Sequence, residues 1–249
     1  MNLNTLVAVS AYAGDVRQIE QNIPLYLHHG CPVLILTPED APIVSLNIAG
    51  NVNGLSFRSA GKKGWIGAHT LERHRLFLEI LLQQRQQYFL FNDSDSFCLS
   101  PELPRYLYNE PNVIWSNEVI DTNPATSMLP KLALQPPYFI SRETIQGMLA
   151  TVNKLPTSYY GEPASPDGWP LPFPTSCIDH YFLQLACGSG YAHKSFPTGA
   201  SFETNSSVGM EEMSNLVRNH GRVMIHSVKT DLMVKRLMLD HALYVKSRR

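Results

Sequence analysis

The sequence predicts an α/β fold in which a mostly parallel central sheet carries helices on both faces. Short apolar runs typical of buried strands alternate with segments of helical periodicity through the first half of the chain. Hydrophobic residues make up 44% of the 249 residues and the formal net charge is only −1, so a disordered chain is excluded. This length and composition favour a single domain over residues 1–249.

The first half of the chain carries the alternation. Strands are predicted at three apolar runs, residues 6–10, 32–36 and 88–92. Asp15 is the predicted N-cap of a helix that follows the first strand and ends at Gly30. A second, long helix precedes the third strand, and its inner face is marked by Leu71, Leu78, Leu81 and Leu82. This order of strands and helices indicates a parallel sheet.

The second half is less regular. Further strands are predicted at residues 113–116, 137–141 and 223–226, and helices from about Arg142, at 178–187 and at 230–244. Six prolines between Pro156 and Pro174 indicate a long loop, which we expect to be partly ordered over a site.

Positive charge is concentrated in two places. The segment from Arg222 to the end has seven Lys/Arg and two Asp, a net of +5, so the remainder of the chain carries −6. A second cluster contains Arg58, Lys62, Lys63, Arg73 and Arg75. Such patches favour an anionic ligand, with ordinary solvated surface as the alternative. The C-terminal patch has three candidate uses: diphosphate binding, contact with an anionic polymer, or attachment to an anionic membrane surface. Its helix is apolar nearly all round, which favours packing on the core over lying on lipid.

The segment Asp93-Ser-Asp95 is the most informative one. It follows directly on a predicted buried strand, and ligands of open α/β sheets bind at the carboxyl ends of strands. If the extended geometry continues, both carboxylates face the same side. Two such carboxylates would make a hard-oxygen site for Mn²⁺ or Mg²⁺, and the ion could bridge a diphosphate. The alternative is a capped turn in which these side chains bond to local backbone.

With this motif in place, the chain resembles a GT-A-type nucleotide-sugar glycosyltransferase over about residues 6–229. The resemblance implies a Rossmann-like nucleotide-binding half, residues 1–100, that ends in the Asp-x-Asp motif. It also implies an acceptor-binding half, residues 101–249, that ends in the basic helix. Asp93 and Asp95 would then hold the metal and the diphosphate of the donor.

The same resemblance implies roles for residues outside the motif. Ser10, Ala11 and Tyr12 would lie near the nucleoside base. His226 would be the third metal ligand and Lys229 a diphosphate contact, in an element shorter than the family's. Asp179 would be the catalytic base or would contact the transferred sugar.

The glycine- and lysine-rich segment 61–67 leads into the helix that carries Arg73. Flexible glycines beside lysines admit a phosphate or a ribose, and the family's corresponding region borders the donor. Arg73 and Lys63 are therefore predicted to bind the donor. A mobile surface loop is the alternative.

The resemblance therefore implies a metal-dependent hexosyl- or pentosyltransferase that moves a sugar from a UDP-sugar to a hydroxyl acceptor. The basic patches motivate one specific acceptor, a hydroxymethylated pyrimidine in DNA of the kind that some phages modify. A cell-surface saccharide or glycolipid is the rival acceptor. A non-catalytic nucleotide- or nucleic-acid-binding module is the alternative outside enzymology.

Other classes are disfavoured by missing motifs. There is no Gly-x-Ser-x-Gly elbow, no Gly-x-Gly-x-x-Gly fingerprint and no P-loop, and the Cys177/His180/Cys187/His193 spacing matches no strong zinc pattern. No apolar run approaches the ~20 residues that span a bilayer, and no signal peptide is evident. We expect a cytoplasmic protein, in the host cytoplasm if it is viral.

Overall fold

The computed structural model describes residues 4–28, 30–48, 53–61, 68–98, 109–116, 137–152, 191–195, 199–201, 207–220, 224–226 and 231–247. The strands in this part are β1 (Thr5–Ser10), β2 (Val33–Thr37), β3 (Leu55–Ser59), β4 (Tyr88–Asp93), β5 (Phe97–Cys98), β6 (Val113–Ser116), β7 (Tyr138–Ser141), β8 (Ala192–Ser195), β9 (Gly199–Ser201) and β10 (Met224–His226). The helices are α1 (Val16–His28), α2 (Ala68–Leu82), α3 (Arg142–Val152), α4 (Ser207–His220) and α5 (Asp231–Ser247).

Within these residues, seven strands form one sheet in the order β3-β2-β1-β4-β7-β6-β8. Neighbours are parallel from β3 to β4 and again between β6 and β8, whereas β7 is antiparallel to both of its neighbours. The predicted α/β class with a mostly parallel sheet is therefore confirmed. A second, three-stranded sheet has the order β5-β10-β9.

Helices cover both faces of the large sheet, as predicted. Alternate residues of a strand point to opposite faces, and the core is accordingly divided into two clusters. One cluster packs side chains of α2 and α3 on the sheet, including Phe77, Leu81, Phe89, Ile145 and Met148. The other packs α1 on the opposite face, including Val7, Val9, Ile19, Ile23 and Tyr26. Each face thus buries the apolar stripe that the helical periodicity predicts.

The six strands predicted from apolar runs are present with bounds shifted by one residue or less, whereas β3, β5, β8 and β9 were not predicted. β5 and β9 have only two and three residues, and for β3 and β8 the reason is their composition. Leu55–Ser59 has a polar residue at every second position and is half-exposed, and Ala192–Ser195 contains His and Lys. Both lie at the edges of the sheet, where burial does not demand an apolar sequence. The single-domain boundary at 1–249 stays a prediction.

Helices α4 and α5 pack against each other around a buried carboxylate. Asp240 is 1% exposed and accepts a hydrogen bond from the Ser214 hydroxyl of α4. Arg236 Nε lies 3.0 Å from Asp240 Oδ2, and Arg218 Nε lies 4.0 Å from Oδ1. The carboxylate therefore joins the two helices through the Ser214 hydroxyl and Arg218 of α4, and it is also paired with Arg236 of its own helix.

Replacing Asp240 with Ala should lower the free energy of unfolding by about 2 kcal/mol, because a hydrogen-bonded charge is lost at a buried position. Chemical denaturation of wild type and variant measures the change. Lys235→Ala is the matched control, because Lys235 is exposed on the same helix. A midpoint equal to that of wild type would contradict the structural role of Asp240.

His241 follows Asp240 and is half-buried. Burial lowers the pKa of His241 below its usual 6.5, because the charged imidazolium is poorly solvated there. The unfolded chain consequently binds the proton more tightly, and stability is lost as the pH falls below about 6.5. His241→Gln should remove that part of the pH dependence, which thermal unfolding of both proteins between pH 5 and pH 8 measures. Parallel pH profiles for the two proteins would contradict it.

No helix among the described residues combines the length and the apolar character needed to cross a bilayer.

Candidate functional site

The strand order of the large sheet reverses at β1. From β1 the chain continues outward on one side to β2 and β3, and then returns to the other side of β1 as β4. In open α/β sheets such a reversal leaves a crevice at the carboxyl ends of the two central strands, where ligands bind. The register places Ser10, the last residue of β1, beside Asp93, the last residue of β4. Two predicted site residues therefore meet at the switch point.

The loop after β1 is held by backbone hydrogen bonds. Ala11 is buried, and its N–H donates to the Leu36 carbonyl at 3.1 Å, while the N–H of Ala13 donates to Ala41 at 3.0 Å. The N–H of Tyr12 donates to Asp15 Oδ2 at 3.0 Å. The prediction that Asp15 is an N-cap was wrong: a short 3-10 helix, Ala13–Asp15, precedes α1 and has Tyr12 as its N-cap. Asp15 is the third residue of that helix, and its carboxylate accepts the Tyr12 N–H because the first N–H groups of a helix lack partners within the helix. The predicted base-binding segment is thus a braced turn beside the crevice.

The Tyr12 ring lies against Gly14. A Cβ built on Gly14 would come 2.6 Å from Tyr12 Cε2, a distance that forces the ring to move. The absence of a side chain at position 14 therefore helps to set where the ring lies.

Gly14→Ala should displace the Tyr12 ring and weaken nucleotide binding several-fold, if Tyr12 contacts the base as the sequence predicts. Isothermal titration with UDP and Mn²⁺ measures the affinity. The control is a double-mutant cycle with Tyr12→Ala: the glycine substitution should cost almost nothing once the ring is gone. If the losses of nucleotide affinity in the two single variants add up in the double variant, Gly14 does not act through the Tyr12 ring.

Arg73 reaches the switch point from α2. It is 7% exposed, and its Nη2 donates to Ser10 Oγ at 3.4 Å. Its guanidinium carbon lies 4.9 Å from the centroid of the Phe77 ring. At this distance the face of the ring attracts the positive charge of the guanidinium. Gly61, with φ +65°, lies alongside, since a Cβ there would be 4.0 Å from Arg73 Cα. A permanently charged group is therefore placed next to Ser10.

The Asp93–Ser96 segment is a turn and not an extension of β4. The strand ends at Asp93, and the N–H of Ser96 donates to the Asp93 carbonyl at 3.1 Å. The expectation that extended geometry carries both carboxylates to one side was therefore wrong in its premise. The turn nevertheless buries Ser94 and Ser96, at 9% and 2% exposure, and leaves Asp93 and Asp95 half-buried. Asp93 and Asp95 are therefore more accessible than the two serines of the turn.

Two polar residues of α1, which sequence reasoning missed, support this turn. The Asn22 side-chain amide donates to the Ser96 carbonyl, and Asn92 Nδ2 donates to the Tyr26 hydroxyl at 3.0 Å. Asn22, Tyr26 and Asn92 are all buried. The signal in the sequence was an Asn on the otherwise apolar inner stripe of α1, one turn before Tyr26.

The small sheet brings a second predicted element to the turn. Ile225 of β10 pairs with Phe97 of β5 in an antiparallel register. The pairing ends there; His226 follows Ile225 along β10, and Ser96, which adjoins Asp95, precedes Phe97. The side chain of His226 lies outside the described part of the chain, as do Lys63, Asp179 and Lys229. Within the described residues, no group of three or more His, Cys, Asp or Glu side chains is placed to hold a metal ion.

The fold and these residues define a doubly wound α/β protein with a polar cluster of Ser10, Arg73, Asp93 and Asp95 at its topological switch point. No protein-family model matches the chain, and no curated protein matches it. A solved structure described as "a glycosyltransferase involved in the glycosylation of the major capsid of PBCV-1" is similar at 10% identity and a TM-score of 0.44, over 96% of this chain and 98% of that chain. Because both values are low, the description of the fold rests on strand order and packing.

Proposed function

We propose that the protein is a metal-dependent glycosyltransferase that takes its sugar from a nucleotide-sugar donor, a UDP-sugar in the first instance. One observation carries the proposal: Ser10, Arg73 and Asp93 converge where β1 and β4 end, and Asp95 follows in the adjoining turn. A nucleoside diphosphate needs a shaped loop, a cation and a metal-holding carboxylate pair, and this crevice offers a candidate for each.

The carboxylate pair fits a divalent cation of the hard type. Mg²⁺ and Mn²⁺ prefer oxygen ligands, and Mg²⁺ is commonly bound by one or two carboxylates together with substrate phosphates. The accessible, half-buried positions of Asp93 and Asp95 suit that arrangement. His226 is the proposed third ligand, supported by the pairing of its neighbour Ile225 with Phe97, the residue after Ser96. When bound, the ion would supply a positive charge that stabilises the departing diphosphate.

The remaining proposed roles follow from what each group can do. Arg73 would add a fixed positive charge beside the diphosphate or the ribose, and the braced loop of Ser10, Ala11 and Tyr12 would hold the base. Lys63 and Lys229 are proposed as further diphosphate contacts.

In the transfer itself, the acceptor oxygen forms a bond to the anomeric carbon as the bond from that carbon to the diphosphate breaks. UDP leaves with the bonding electron pair. The acceptor proton passes to a carboxylate, for which Asp179 is proposed. Asp179 could instead contact the transferred sugar.

Two acceptor classes are proposed for the test, hydroxymethylated pyrimidine in DNA and a saccharide or glycolipid. The basic segments motivate the first. Incubation with radiolabelled UDP-sugars and each acceptor in turn distinguishes them by the product that carries the label.

The test of donor binding is the thermal unfolding midpoint with UDP, GDP or CDP, each with and without Mn²⁺. A ligand that binds the native state raises the midpoint. We expect a rise with UDP that requires Mn²⁺. No rise with any nucleotide would overturn the proposal, and an equal rise without the metal would overturn its metal dependence.

A further inference from the structure

The outward face of α5 is apolar and basic at once. Leu232, Leu239 and Leu243 are 68%, 58% and 38% exposed, and Met238 and Val245 are 44% and 36% exposed. The expectation that this helix packs its apolar residues on the core is therefore wrong for Leu232, Met238, Leu239 and Leu243. Its buried side is formed by Met233, Val234 and Leu237, and α4 is the described element that packs most extensively on α5.

The exposed leucines form a stripe along the helix. Positions 232, 239 and 243 are seven and four residues apart, which places them within about 40° of one another around the axis. Lone exposed apolar side chains are ordinary on a protein surface, but three leucines in one stripe are not. Met238 and Val245 lie on another flank of the helix, more than about 100° from this stripe.

The charges on this face have one sign. The exposed charged side chains described on α5 are Lys235, Arg236 and Lys246, whereas the acidic Asp240 is buried against α4. The surrounding segment from Arg222 onward has a net charge of +5. Long basic side chains beside an apolar stripe place their charged ends at the level of lipid headgroups while their stems cover apolar surface.

We propose that the outward face of α5 docks on the surface of an anionic membrane, with the leucine stripe at the boundary between headgroups and acyl chains. The helix has 17 residues, so it is about 25 Å long and offers roughly 250 Å² on one side. That area is far below the ~800 Å² per partner of a stable protein interface, which disfavours a second copy of the chain as the occupant. A nucleic acid would contact the lysines but leave the exposed leucines in water.

Co-sedimentation with vesicles tests the proposal. We expect the protein to bind vesicles of phosphatidylcholine mixed with an equal amount of phosphatidylglycerol, to bind pure phosphatidylcholine much less, and to lose binding as salt is raised. Leu232→Asn with Leu239→Asn should weaken binding about tenfold or more, because two apolar side chains no longer enter the interface. Lys235→Gln with Lys246→Gln should weaken binding to the anionic vesicles only.

Val44→Asn is the matched control, because Val44 is 80% exposed but lies in the segment after β2. The thermal midpoint of each variant, measured without vesicles, shows that folding is kept. Absence of binding to anionic vesicles, or undiminished binding by the double leucine variant, would overturn the proposal. So would a dimer that the leucine variant dissociates, which would assign this face to a second copy. Nucleotide binding is measured separately, so failure here and failure of the proposed transferase function are distinguishable.

Discussion

Asp95→Asn should abolish the Mn²⁺-dependent part of UDP binding, weakening it by about 100-fold or more. The amide keeps the size of the carboxylate but removes the negative charge that a divalent cation requires. Asp95 is half-buried in a turn held by the Ser96 N–H and by Asn22, so a neutral residue of the same shape leaves that turn intact. Titration calorimetry with UDP, with and without Mn²⁺, measures the effect.

Glu79→Gln is the control for this substitution, because it removes a carboxylate from the exposed side of α2, where Glu79 pairs with Arg75. It should leave UDP affinity and its metal dependence unchanged. If Asp95→Asn binds UDP and Mn²⁺ like the wild type, the Asp-x-Asp segment is a structural turn and the proposed donor site is lost. Asp93→Asn should behave as Asp95→Asn does if the two residues share the ion.

Arg73→Met should weaken UDP binding by about 10- to 100-fold. A hydrogen bond to a charged group is worth about 1.5–3 kcal/mol, and each 1.4 kcal/mol is a factor of ten. Methionine keeps an apolar stem to pack on Phe77 but removes the cation beside Ser10. Arg73→Lys should recover part of the loss, since it restores a charge without the planar guanidinium.

The control for Arg73 is Arg75→Ala on the same helix. Arg75 is 36% exposed and forms an ion pair with Glu79 on the surface, a contact worth little to stability. It should leave both UDP affinity and the thermal midpoint unchanged. If Arg73→Met keeps its fold and binds UDP as tightly as the wild type, Arg73 does not contact the donor and its role is only to pack on Phe77.

If the outward face of α5 docks on a membrane, the two proposed acceptor classes should behave differently when vesicles are present. A transferase held on anionic lipid would meet a glycolipid or a membrane-attached saccharide at the surface where it docks. A DNA acceptor would instead compete with vesicles for the lysines of α5, because both are polyanions. The vesicle and acceptor measurements together therefore test the same helix in two independent ways.

The sequence alone determined the central sheet and the place of the motif. Apolar runs such as Leu6–Ser10 and Tyr88–Asn92 have the length of buried strands, and the helical periodicity between them indicates crossover helices. Together they predict the parallel core and the position of Asp93-x-Asp95 at the end of a strand. Arg73 was also identified, from its basic neighbourhood and the preceding glycines.

Which residues these side chains meet depends on how the chain folds back on itself. The pairing of Ser10 with Asp93, the reach of Arg73 over 63 positions to Ser10, and the support of the turn by Asn22 over 74 positions are contacts between segments distant in the chain. The spacing of apolar residues in the sequence indicates whether a segment is a helix or a strand and which of its faces is buried. It does not indicate which elements become neighbours in the fold. For the same reason the sequence showed that α5 is apolar nearly all round, and only its packing on α4 showed which side stays exposed.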